Sequence, residues 1–79
     1  MLTQENVIEI IAGALEVPAQ KVTIDTTNET VENWDRLTHL GILERLDRAT
    51  EGKSTRVPGL ATAFTVKDIL ENLKNAGLH

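Results

Sequence analysis

The sequence predicts an all-α domain: a bundle of three main helices, one short additional helix and a long first loop. Three observations carry this reading. Apolar residues recur at helical spacing in three separate stretches. Each stretch opens beside a residue suited to cap a helix N-terminus. No segment alternates convincingly as a strand. With no internal repeat, low-complexity tract or composition break, residues 1–79 read as a single domain.

The first helix starts after Thr3, its expected N-cap, with Glu5 placed to suit the helix dipole. Val7, Ile8, Ile11, Ala14 and Leu15 form one apolar stripe, and Pro18 ends the helix by disfavouring helical geometry at Val17. "PAQKV" can open with a short helical piece. From Thr23 to Asn33, "TIDTTNETVEN" has neither helical nor strand period and reads as a long ordered loop, anchored by Ile24 and Val31. The second helix is capped by Asp35 or Asn33. Its Leu37, Leu40, Ile42, Leu43 and Leu46 cover a wide arc, which predicts a central helix packed on several sides, with Thr38, Gly41, Arg45 and Arg48 outward. Gly41 costs roughly 1 kcal/mol against Ala in a helix interior, explained either by close packing or by room left at the surface. "TEGKSTRVPG" is a second loop, and "GLATAF" holds a short helix or turn. Thr65 caps the last helix, with Asp68 three residues on; Val66, Ile69, Leu70, Leu73 and Ala76 face inward, and Gly77 stops it.

Composition narrows the function classes. The chain is 41% hydrophobic but 3% aromatic, so the core is aliphatic. A core of this size leaves roughly 3–5 kcal/mol of net stability, which favours a binding or carrying module over a deeply buried catalytic constellation. Without cysteine there are no disulfides, no thiolate catalysis and no Cys-ligated metal. The N-terminus has no basic n-region, and no apolar run approaches the length of a membrane span, so a cytoplasmic, soluble protein is expected. Net charge is −4, and residues 1–35 hold seven acids against the single base Lys21. Such an acidic chain, with only Trp34 and Phe64 as aromatics, is a poor partner for nucleic acid.

The stretch "NWDRLTHLGILERLD" carries the sharpest signal. Together with "ALEVPAQKVT", the long acidic loop, "VPG" and "FTVKDILENL", it resembles the acyl carrier protein family, including the carrier domains of polyketide and peptide synthases, over nearly the whole chain. Family members carry 4′-phosphopantetheine on the serine of an Asp-Ser-Leu motif, and the resemblance implies such an attachment at the mouth of the second helix. Asp35 and Leu37 match the motif; the serine position holds Arg36. A guanidinium has no hydroxyl and stays protonated, so it accepts no phosphodiester. Ser54, the only serine, has no Asp before it or Leu after it, and Thr38 lies about 200° around the helix from the attachment position.

Two accounts of Arg36 stand. Either the residue marks lost function or a replaced serine, or it contacts a partner's carboxylate or keeps modifying enzymes off the site. Stability gives little reason for it, because a cation in the first helical turn opposes the dipole by typically 0.3–1 kcal/mol. Many free-standing carriers present an acidic second helix to basic partners. Here Asp35, Glu44 and Asp47 are balanced by Arg36, Arg45 and Arg48, with Lys53 and Arg56 following. Partners that rely on apolar contact therefore fit better than partners seeking an acidic helix.

The resemblance thus implies a non-enzymatic, monomeric domain without its usual cofactor, acting on protein partners of a fatty-acid, polyketide or peptide pathway. A true carrier whose serine is replaced in this version is one alternative, and a small helical ligand-binding protein is another. Partner-contact candidates are Trp34, Arg36, Thr38, Gly41, Arg45, Arg48, Arg56 and Val57, although Trp34 also suits a structural plug where loop meets helix. His39 and His79 are too few and too separate for a metal site, and His39 reads as a half-buried bundle residue. Gly52 and Gly59 are isolated and make no phosphate-cradling loop.

Overall fold

A computed structural model describes residues Met1–His79. Three α-helices form it: α1 (Gln4–Leu15), α2 (Arg36–Ala49) and α3 (Val66–Asn75). Short 3₁₀ turns occupy Ala19–Lys21, Lys53–Arg56 and Pro58–Thr62, and the only β-pairing is an isolated antiparallel bridge between Thr27 and Thr65. No helix is long and apolar enough to cross a membrane.

Each helix starts where a side chain satisfies a backbone donor left free by the first turn. The Thr3 hydroxyl accepts from Asn6 N–H while the Asn6 side chain accepts from Thr3 N–H, a reciprocal box. Asp35 accepts from Thr38 N–H at 2.8 Å, and Thr65 accepts from Asp68 N–H at 3.0 Å. Ahead of Pro18, α1 ends at Glu16 in the left-handed region, φ 58°. The short helix expected before α3 is instead two consecutive 3₁₀ turns, the second with Pro58 at its first turn. At Gly59 this second turn meets α3 so closely that a Cβ would overlap the Asn72 side-chain amide. Any larger residue there requires the Asn72 side chain to move aside.

The core joins Val7, Ile11 and Leu15 of α1 to Ile42 and Leu46 of α2 and to Val66, Ile69 and Leu73 of α3. Several inward assignments change. Leu37 and Leu40 are exposed, and Leu43 is half-buried, so the wide leucine arc of α2 is only partly covered. His39, expected to be half-buried, is fully buried and takes the core position between Asp35 and Ile42. Ala76 is exposed because α3 has already ended at Asn75. Gly41 has open space where a Cβ would stand, so close packing does not account for it.

The long loop is ordered by its own threonines. Thr26 and Thr30 hydroxyls accept from Thr23 and Thr27 N–H, and Thr23 and Thr27 hydroxyls accept from Asp25 and Glu29 N–H. Thr26 and Val22 are buried, whereas Ile24 projects outward and is no anchor; Val31 packs at the edge of the core. The loop is tied to the start of α3 by Asn28 N–H to Phe64 C=O and Val66 N–H to Thr26 C=O, both 3.0 Å. Asn33 donates its side-chain amide to the Leu15 carbonyl at 2.8 Å, closing the end of α1.

Candidate functional site

The mouth of α2 is built on a polar wire inside an apolar core. Trp34 precedes the Asp35 cap and is only 2% exposed, so its indole is a plug and not a surface anchor. Buried donors need partners, and the indole Nε1–H donates to His39 Nδ1 at 3.0 Å. The opposite ring nitrogen, Nε2, lies 2.8 Å from the Leu60 carbonyl. A donor on one side of the ring and an acceptor on the other admit one arrangement: Nε2 carries the proton and donates to the Leu60 carbonyl, while Nδ1 accepts from the indole N–H. Phe64 packs against the same imidazole at 4.2 Å between centroids, and Trp34 stacks at 6.1 Å. Loop, helix and 3₁₀ turn are thereby locked together below the surface.

Above this plug stands Arg36, the first residue of α2, exposed and without an ion-pair partner. The neighbouring Asp35 carboxylate is occupied as a cap. The Thr38 backbone N–H holds its ionised form and keeps its carboxyl below the usual carboxylate range. A groove of about 310 Å³ runs between α2 and the Pro58–Thr62 turn, with Arg36 at its rim and Leu40, Leu43, Ala61 and Phe64 among its walls. Beyond Leu43 and Ala61 it continues into a second hollow of about 250 Å³ that includes Val57. Leu37 (77% exposed) and Leu40 (57% exposed) stand beside and above the groove.

The contact candidates do not gather on one face. Arg36 and Val57 border the groove system. Thr38, Gly41 and Arg45 lie on another stripe of α2 by their spacing, and the Arg45 guanidinium reaches over Gly13 of α1. Arg48 is paired with Glu44 one turn back, and Arg56 is exposed at the end of the Lys53–Arg56 turn. Leu37, Leu40, Ala61 and Phe64 were not among the candidates. The two leucines looked like core, and the other two are distant in sequence. Counting angle from Leu46 gives the available signal: Leu37 falls about 180° away and Leu40 about 120° away.

The residues present do not fit 4′-phosphopantetheine. Arg36 occupies the first helical position with no hydroxyl, and Ser54 is 5% exposed below Thr50, whose hydroxyl accepts from its N–H. Thr38 is half-buried and off the mouth. No group of three or more His, Cys, Asp or Glu side chains is placed to hold a metal ion.

Fold and site define a small all-α domain with an exposed apolar and basic face at the start of its central helix. Compared with family models, curated proteins and solved structures, the chain matches none.

Proposed function

We propose that this protein is an acyl-carrier-like domain that carries no phosphopantetheine and serves as a non-enzymatic interaction or accessory module beside a fatty-acid, polyketide or peptide assembly system. One observation supports the reading above the rest. The "WDRL" segment forms a capped, plugged helix mouth, and by the sequence resemblance its first helical residue, Arg36, corresponds to the acceptor serine of a carrier. The exposed leucines beside it give such a module something to dock with.

The test is transfer of phosphopantetheine from coenzyme A by a broad-specificity phosphopantetheinyl transferase, read by intact mass. The native protein is expected to keep its mass, and Arg36→Ser to gain one phosphopantetheine. Modification of the native protein overturns the reading. An unmodified Arg36→Ser protein removes the likeness of the helix mouth to a carrier site.

A further inference from the structure

The geometry points to a specific kind of partner: an amphipathic helix of another protein that lays an apolar stripe over Leu37, Leu40 and the Leu43–Ala61 groove and sets a carboxylate against Arg36. This rests on the interaction-module reading above and names the partner's chemistry.

Leu37 and Leu40 are two large apolar side chains held in the open on one turn of a regular helix. Covering them is favourable at about 25 cal/mol per Å² of apolar surface. The shape of the patch selects what covers it. A small molecule in the groove is flanked by Leu40, Leu43 and Phe64, but Leu37 is not part of the groove wall. Leu37 stays in water unless the occupant also spans the ridge. Nor does the groove floor offer a small ligand a free polar group, because both His39 ring nitrogens are already engaged. A ridge of leucines one turn apart beside a groove is the complement of a helix carrying its own apolar stripe.

Charge then sets the partner's sign. Anything that covers Leu37 and Leu40 also covers Arg36, which has no ion-pair partner of its own. Arg48, one ridge further along, is already paired with Glu44, and Asp35 is spent on Thr38. Desolvating an unpaired guanidinium is costly, so the covering surface must supply an anion at that point. A membrane surface is a poor alternative: anionic lipid binding needs clustered bases, whereas Arg36 is the single Lys or Arg lining the groove and its continuation.

The probe is a synthetic amphipathic peptide of about 18 residues, roughly five turns, with a leucine stripe and two glutamates at one end of it. It is titrated into the isotopically labelled full chain and followed by amide chemical shifts. Shifts are expected at residues 36–43 and 60–64, with affinity falling at least about tenfold when the glutamates become glutamines, the loss of one close charge pair. Arg36→Glu should lose the acidic peptide and gain its lysine counterpart, while Leu37→Ser should weaken both. Circular dichroism and the dispersion of the amide spectrum confirm that each variant is folded. Equal binding of the glutamate and glutamine peptides, shifts on another face, or no binding overturns the proposal. So does preferential binding to phosphatidylserine vesicles, or self-association of the chain through residues 36–43. Failure here leaves the mass experiment intact, because acceptor competence of Arg36→Ser does not depend on docking.

Discussion

The two sides of α2 both carry large aliphatic residues and are opposite in fate. On one, Ile42 and Leu46 are fully buried in the common core, with the polar His39 completing the buried row. On the other, Leu37 and Leu40 face water beside Arg36. Side-chain hydrophobicity does not separate these faces. The neighbours do: α1 packs along the buried side and Leu60 of the Pro58–Thr62 turn closes over His39, while the cover from that turn ends at the groove beside Leu40 and leaves Leu37 in water. The contrast teaches that a histidine can be more essential to this core than a leucine two residues away.

The strongest way to break that contrast is His39→Leu. Leucine keeps the apolar volume but strands the Trp34 indole N–H and the Leu60 carbonyl, at about 1–3 kcal/mol for each buried group left unpaired. In a domain of this size the expected result is a fall of several degrees or more in thermal midpoint, or outright unfolding, read by circular dichroism. A midpoint equal to the native protein's would show that the wire is dispensable.

A smaller effect is expected at the cap that divides the two faces. Asp35 has its folded pKa lowered, chiefly by the Thr38 backbone N–H, so the folded state binds fewer protons there than the unfolded state. Its contribution is present above the ordinary carboxylate range and disappears as pH falls through and below about 4. Asp35→Asn keeps a capping oxygen without the titration. Thermal midpoints of the two proteins should therefore diverge least at pH 3 and below and most above about pH 5. A constant difference across that range would exclude the carboxylate as the cause.

The smallest change belongs to the exposed side. Leu37→Ser and Leu40→Ser are each expected to alter stability within about 0.5 kcal/mol, measured by urea denaturation. A loss comparable to that of His39→Leu would mean that these leucines are structural after all.

Much of the fold was legible because its boundaries are set locally. Thr3, Asp35 and Thr65 are short polar side chains that cap the turn beginning beside them, and Pro18 acts on its immediate predecessor. What escaped was settled by distant parts of the chain. His39 is buried because Leu60 supplies a carbonyl 21 positions on, and Ile24 is outward because Val22 and Thr26 take the inward places in the loop. For the candidate site, Arg36 at the first turn of α2 followed from the sequence. The groove beside it did not, since its far wall of Ala61, Thr62 and Phe64 comes from a turn whose packing no local pattern encodes.

The Trp34–His39–Leu60 wire also has a mechanical consequence. Leu60 belongs to the turn that forms the groove wall, and Trp34 is bonded in sequence to the cap that starts α2. The imidazole between them is a strut with a fixed direction, its proton facing the wall and its lone pair facing the mouth. The wall and the mouth therefore share one hydrogen-bonded ring, whose two nitrogens answer to different segments of the chain. Groove and helix mouth are thus joined through a single side chain, so a substitution at His39 acts on both at once.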